Sequence, residues 1–284
     1  MPRIGAHVSA AGGAHKAVER AHAIGADCVQ VFSGSPRGWK RKPIDQVDAA
    51  AVFAAQQATG INPVVTHALY LTNLASENPE QVQKTIDAIV YDLEFDALLG
   101  GSGVVVHLGS HQGRGWETVR DQTADAMAQI LERAPRNGTF LMENSAGQQG
   151  KLSSNLEELR WLLDRLQAPN LGWCFDTCHA HAAGLYMGDP ADAGARRSAI
   201  TEIDRLQLWD TLKVIHVNDS RDPFDSGRDR HANLGEGQIP AEDLRCFLRR
   251  PELQKLPFIL EVPGFAGEGP DAENIRRLRE LAEG

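Results

Sequence analysis

Cysteine is scarce in this 284-residue chain, limited to Cys28, Cys174, Cys178 and Cys246. Only Cys174 and Cys178 lie close together, and their spacing is neither CxxC nor that of a zinc ribbon. This reads as four free thiols in a reducing compartment, not as a disulfide framework. Long apolar runs are lacking too: none approaches the roughly 20 residues of a membrane span. Met1-Pro2-Arg3-Ile4-Gly5 lacks the apolar stretch of a signal peptide. A cytoplasmic protein with no membrane partner is the expectation. Positive charge is also short, with 29 Lys+Arg against 38 Asp+Glu and a net charge of −9. A simple nucleic-acid binder is usually basic, so overall charge argues mildly against DNA or RNA. It leaves room for a local basic site or one built around cations. No linker rich in Pro, Gly or Ser divides the chain, so residues 1–284 read as one domain.

What is present is a regular alternation. Eight β-type runs fall at Ile4–Val8, Cys28–Phe32, Pro63–His67, Gly103–Leu108, Phe140–Asn144, Leu171–Asp176, Val214–Asn218 and Phe258–Val262. Several are continuously apolar, as strands buried on both faces should be. Eight helical patterns alternate with them: Gly13–Ile24, Ile44–Ala58, Pro79–Leu99, Glu117–Ala134, Leu156–Leu166, Ala191–Leu208, Ala241–Arg249 and Ala272–Ala282. Eight βα repeats in this length predict an α/β fold, a (β/α)8 TIM barrel with its active site at the C-terminal ends of the strands. A doubly wound sheet rarely needs eight parallel strands. Two connections, Ser33–Pro43 and Ser220–Pro240, are too long for simple turns, and both follow strand C-termini, where barrel sites form.

The strand ends carry the main chemical signal. Strands three to eight reach His67, His107, Glu143, Asp176, His216 and Glu261 in turn. One or two such residues pass as satisfied core polars. Six converging on one rim do not, because each would need a buried partner. His179 follows Asp176 by one short turn. In Asp229-Arg230-His231 the outer two residues are two apart, so an extended segment points both the same way. Five His and four carboxylates without a Cys suit Zn²⁺, with Mn²⁺ or Fe²⁺ less preferred. Nine ligands exceed one ion's needs and point to a cluster of two or three. Such sites are typical of phosphoryl-transfer hydrolases. Three divalent ions would outweigh four carboxylates and leave the site about +2, a cationic pocket in an acidic protein.

Two loops add to this. Arg37-Gly38-Trp39-Lys40-Arg41-Lys42 interleaves four basic residues with a Trp. That pattern serves phosphate contact with stacking or wedging, though a solvated loop with Trp39 folded back is also open. Tyr70 and Leu71 follow His67 into a rim loop where bulky side chains are otherwise hard to justify. His7 reads as a barrel-interior polar residue near the site. His15 and His22 read as helix-surface residues, and His111 and His181 as rim-loop residues that are not ligands. Cys178 reads as a buried thiol.

Together these segments resemble the endonuclease IV family of abasic-site DNA repair enzymes over nearly the whole chain. The most specific pieces are Ile4-Gly5-Ala6-His7-Val8-Ser9-Ala10-Ala11-Gly12-Gly13, Tyr70-Leu71-Thr72-Asn73-Leu74 and Val106-His107-Leu108-Gly109-Ser110-His111. Glu143-Asn144-Ser145-Ala146-Gly147, Phe175-Asp176-Thr177-Cys178-His179-Ala180, His216-Val217-Asn218-Asp219-Ser220, Asp229-Arg230-His231-Ala232-Asn233-Leu234-Gly235 and Leu260-Glu261 complete the set. The resemblance implies three zinc ions per chain, with Mn²⁺ an option at one or more sites. It implies His67, His107 and Glu143 around the first ion, and Glu143 bridging to a second held by Asp176, His216 and Glu261. His179, Asp229 and His231 would hold the third. It further implies a monomer that acts on double-stranded DNA. Cleavage 5′ to an abasic site would leave a 3′-hydroxyl and a 5′-deoxyribose phosphate, with removal of blocked 3′ ends as a second activity. Glu143 would be catalytic, and Arg37, Trp39, Tyr70 and Leu71 would contact DNA.

The sequence departs from the family pattern in four places. Ser35-Pro36 stands where Asn-Gln is common. Gly147-Gln148-Gln149-Gly150 reads as one residue longer. His181 replaces a Phe, and Val262-Pro263-Gly264 follows Glu261 in place of Thr-Pro. None removes a ligand. Two other classes compete: a metal-dependent sugar isomerase or epimerase on a similar barrel, and a zinc-stabilised DNA-binding module. The first does not need Asp229-Arg230-His231 or the basic Trp39 loop. The second needs no ion site open to water, and a barrel this large needs no structural metal.

Overall fold

Short apolar runs close into a ring here because each pairs with the next in sequence and the last returns to the first. The computed structural model describes residues 1–283. The barrel strands are β1 (Arg3–His7), β2 (Cys28–Phe32), β3 (Val64–His67), β4 (Val104–Val106), β5 (Phe140–Glu143), β6 (Leu171–Asp176), β7 (Leu212–His216) and β8 (Pro257–Leu260). All eight pairings are parallel, and the barrel is closed. Closure sets Ile4 opposite Phe258, Gly5 opposite Ile259 and Ala6 opposite Leu260. This is the expected (β/α)8 TIM barrel.

Helices α1 (Ala14–Ala23), α2 (Ala49–Thr59), α3 (Pro79–Leu98), α4 (Trp116–Arg133), α5 (Leu156–Leu166), α6 (Thr177–Ala182), α7 (Ala199–Arg205), α8 (Ala241–Leu248) and α9 (Ala272–Ala282) lie between and after the strands. Their starts are written in short polar side chains. Asn78, Asn155 and Asp271 accept backbone N–H bonds at the heads of α3, α5 and α9. Two expected helices are shorter than their sequence patterns. Ile44–Gln46 forms a separate 3₁₀ turn, and α2 begins anew after the cap Asp48. The pattern over Ala191–Leu208 yields only α7, because Pro190 opens a 3₁₀ turn and Ser198 caps a fresh start. Among the described residues no helix is long and apolar enough to cross a membrane.

The core has two parts. Outward-facing strand residues such as Val29, Val104, Phe140, Phe175 and Phe258 pack beneath the helices. A second cluster fills the barrel interior: Cys28, Val65, Val105, Leu141, Cys174, Val214 and Ile259, one from each of β2 to β8. β1 contributes Gly5 at this level, where a Cβ would lie 2.5 Å from the Cys28 sulfur. Side chains on a strand repeat their direction every two residues. The level above this apolar plug is therefore already determined: His7, Gln30, His67, His107, Glu143, Asp176, His216 and Glu261. Each stands two residues beyond its partner in the plug, so all eight strand positions reach one polar ring.

Candidate active site

Glu143 sits at the middle of the ring and is buried. Its Oε2 lies 3.5 Å from His67 Nε2 and 3.3 Å from His107 Nε2. Its Oε1 lies 2.8 Å from His216 Nδ1. The same His216 Nδ1 is 3.2 Å from Glu261 Oε2 and 3.9 Å from Asp176 Oδ2. Two groups of donor atoms thus share one carboxylate.

The third group comes from loops. Asp176 caps α6 by accepting the His179 N–H at 2.8 Å, which folds His179 back over the ring. His231 lies in a two-residue antiparallel ladder, Asp219–Ser220 against His231–Ala232. That extended segment sends Asp229 and His231 to one side and Arg230 to the other, where its Nε donates to Asp222 at 2.7 Å. Asp229 Oδ1 stands 3.1 Å from His179 Nε2 and 3.3 Å from His231 Nε2. The residues His67, His107 and Glu143, then Glu143, Asp176, His216 and Glu261, then His179, Asp229 and His231 form three sets, each with its donor atoms within 4.8 Å of one another. Cys174 and Cys178 also lie close to the cluster. Burial pushes both thiols up, against thiolate ligation.

The histidines are held in fixed orientations. Nδ1–H of His67 donates to the Ala68 carbonyl at 2.7 Å, that of His179 to the Asn144 carbonyl at 2.9 Å and that of His231 to the Glu261 carbonyl at 3.2 Å. Each of these rings then turns Nε2 toward the cluster. Glu143 Oε2 and His231 Nε2 are buried without a hydrogen-bond partner among the described residues. Buried atoms are rarely left so. Anchored imidazoles facing orphaned carboxylate oxygens fit divalent cations. The carboxylates also draw positive charge to the cluster. Burial opposes charge on His179, yet Asp176, Asp229 and Glu143 outweigh it and raise its pKa to about 10. Burial likewise opposes charge on His231, and the carboxylates raise it to about 9. Burial dominates at His107, and its pKa falls to about 4, leaving a neutral donor.

A cavity of about 300 Å³ opens over this cluster, lined by Tyr70, His107, His179, Asp229, His231, Glu261 and Pro263. A larger one, about 680 Å³, lies between the β1 and β2 loops, has a mainly apolar lining and touches none of the ring. Tyr70 is 53% exposed and Leu71 36%. The Tyr70 ring stands edge-on to His67 at 5.7 Å, and its N–H donates to the Pro36 carbonyl at 3.0 Å. The two rim segments are therefore tied together beside the cluster. Arg37 is exposed and Trp39 half-buried.

Arg41 behaves differently from its basic neighbours. It turns inward, with Nε 3.5 Å from Oδ1 of the buried Asp92 in α3. Ser33 donates to the same carboxylate, and the Tyr91 hydroxyl donates to the Lys42 carbonyl at 2.6 Å. The charge of Arg41 thus anchors the loop instead of facing solvent. Burial raises the Asp92 pKa to about 6, against the opposing pull of Arg41 and Ser33. A carboxyl raised in the folded state makes the native protein hold more protons than the unfolded chain between about pH 4 and 6. Its contribution to stability then falls as pH rises through that window and is flat above it. We expect the stability difference between wild type and Asp92→Asn to follow this course, read from urea midpoints at several pH values. A difference independent of pH would refute the assignment.

Two residues escaped the sequence reading, and a third lies closer to the cluster than expected. Gln30 belongs to the polar ring, and counting by twos from Cys28 would have found it. His7, expected near the site, joins the ring directly, with Nδ1 2.8 Å from Glu261 Oε1. Lys151 is brought in by the Gly147–Gly150 segment, which is pinned to the β4 loop by Leu152 N–H donating to Gly109 O and His111 N–H to Gly150 O, both at 2.9 Å. The Lys151 ammonium lies 3.5 Å from Asp229 Oδ2, and nothing in its local sequence pattern announces this. His181, read as a rim-loop residue, is instead buried within α6 with its ring edge-on to Phe224.

The arrangement can be set beside known proteins. Residues 18–281 match the family described as xylose isomerase-like TIM barrels. A protein of Methanoculleus marisnigri named probable endonuclease 4 is 39% identical over 99% of both chains. The chain belongs to the endonuclease IV family. The solved structure of endonuclease IV from Thermus thermophilus superposes with a TM-score of 0.84 at 34% identity, covering 99% of each chain. A D-tagatose 3-epimerase-like protein superposes at 0.73 with 20% identity, covering 99% of this chain and 97% of that one, a likeness of fold alone. The two endonuclease likenesses each cover 99% of this chain and so extend over the whole barrel.

Proposed function

We propose that this protein is a DNA repair endonuclease that cleaves the phosphodiester 5′ to an abasic site, leaving a 3′-hydroxyl and a 5′-deoxyribose phosphate, and that it also clears blocked 3′ ends. The observation that carries this reading is the junction of two donor groups at Glu143 with a third built on Asp229, in a chain whose relatives bear the endonuclease 4 name. His67, His107 and Glu143 would hold one zinc ion, with Glu143 shared by a second at Asp176, His216 and Glu261. His179, Asp229 and His231 would hold a third, and Mn²⁺ suits the same donors. When bound, such ions supply Lewis-acid charge stabilisation to the attacking and leaving oxygens of a phosphodiester.

The chain's own residues do the rest. Glu143 holds the two groups at a fixed separation. The Nδ1–H bonds of His67, His179 and His231 to backbone carbonyls keep those rings from turning. Arg37 and Lys151 offer cations to backbone phosphates. Tyr70 and Leu71 enter the base stack, and Trp39 contacts the DNA from the neighbouring loop. A sugar that has lost its base costs less to unstack, which favours the lesion over intact DNA.

The decisive experiment uses a duplex with one synthetic abasic site beside an undamaged control, with metal content measured on the same preparation. Incision 5′ to the lesion with about three ions per chain is expected. No incision despite a full metal complement would turn the reading to a sugar isomerase, whose barrel this chain also resembles. For Tyr70→Ala we expect abasic-duplex binding to weaken by about 1–3 kcal/mol, the scale of one base–aromatic stack. Unchanged binding with failed cleavage would remove Tyr70 from the wedge role.

A further inference from the structure

Among the eight ring residues Gln30 is the one that carries no charge and is not a usual zinc donor, yet it is fully buried and hydrogen-bonded at both ends. One amide atom lies 2.7 Å from Glu261 Oε1, an acceptor, so that atom is the NH₂. The same nitrogen is 3.0 Å from His7 Nδ1. The other amide atom must then be the carbonyl oxygen, and it lies 2.8 Å from His216 Nε2. His216 therefore donates Nε2–H to Gln30. Nδ1 is the nitrogen that faces Glu143, Asp176 and Glu261, so with Nε2–H committed to Gln30 it is Nδ1 that would give its lone pair to a bound ion.

This reverses the pattern of the other anchored rings. His67, His179 and His231 are fixed through Nδ1 by backbone carbonyls, which no substitution removes. His216 is fixed through Nε2 by a side chain. Gln30 also occupies Oε1 of Glu261, which leaves Oε2 turned to the cluster at 3.2 Å from His216 Nδ1.

We infer that Gln30 is a positioning residue for one metal site, selecting the His216 tautomer and the Glu261 orientation through the two ends of one amide. This rests on the metal-centre reading above. An unanchored imidazole can present either nitrogen, and loss of such an outer hydrogen-bond partner typically weakens metal binding by about 10–100-fold.

The test is zinc binding by the metal-free full-length protein, measured by competition with a chromophoric chelator. Wild type is expected to bind about three equivalents. Gln30→Met, similar in length but unable to make either hydrogen bond, is expected to weaken one equivalent by about 10–100-fold and spare the other two. Gln30→Glu keeps an acceptor for His216 Nε2–H but loses the donor to Glu261 Oε1, and is expected to recover only part of the lost affinity. Wild-type affinity in Gln30→Met, equal loss in both variants, or uniform weakening of all three equivalents would overturn the inference. A wild type that binds no zinc would overturn the metal-centre reading and this inference together. A measurement on unaltered protein completes the test. Long-range ¹⁵N–¹H correlation of the zinc-loaded chain should show the His216 proton on Nε2, and a proton on Nδ1 refutes the assignment without recourse to any variant.

Discussion

Replacement of Glu143 by alanine is expected to lower the rate of abasic-duplex cleavage by about 10³-fold, equivalent to roughly 4 kcal/mol of transition-state stabilisation. The size follows from the number of partners the carboxylate serves. One oxygen faces His67 and His107 and the other faces His216, so a single truncation opens two donor groups at once. The metal count should fall with the rate. Cleavage by single turnover and elemental analysis on the same sample separate the two effects. Near wild-type turnover with measured metal would sink the assignment. His67, His179 and His216 gain their positive bias from Glu143 and from its carboxylate neighbours. The variant is therefore compared at a pH where its folded fraction has been checked.

The second large effect falls on the loop trio. Asp229→Ala should lower cleavage by about 10²-fold, the lower end of what removing one charge-stabilising contact from a transition state costs. It should also reduce bound metal from about three ions to about two. Asp229 lies between His179 and His231, and its carboxylate is held well below the ordinary range because both imidazoles compensate the cost of its burial. Its removal breaks the trio and leaves the Glu143 groups in place. Damage to metal binding confined to one equivalent is therefore the expected signature. Loss of all three would mean that the ribbon supports the ring, and the division into groups would fail.

The barrel was legible because its strands are short, apolar and evenly spaced, and because a side chain's direction on a strand repeats every two residues. The strand-borne donors were legible for the same reason. Asp229 and His231 were readable from their i, i+2 spacing, although the antiparallel ladder that extends the segment is a tertiary pairing with Asp219 and Ser220. Arg41 was misleading as a basic loop residue. Its partner Asp92 lies in α3, and nothing local in the loop signals that pairing. Lys151 was hidden likewise, since its place depends on how the Gly147–Gly150 segment docks on the β4 loop. Gln30 was overlooked because amides are common and unremarked, though its position follows from the same counting that finds His67. Local pattern thus specified elements and the direction of their side chains. Contacts between loops depended on tertiary packing.

Closure of β1 on β8 has a consequence for biosynthesis. Glu261 lies just beyond the last strand, and its carboxylate is held from the opposite end of the chain by His7 and Gln30. A nascent chain that has not yet released this strand has the first seven strands but neither the seal nor one of the donors beside His216. Metal captured before that point would meet an open, water-filled trough. On the metal-centre reading proposed above, the site at Asp176, His216 and Glu261 would be complete only once this strand is in place, and the rate of zinc uptake during refolding should report when β1 and β8 meet.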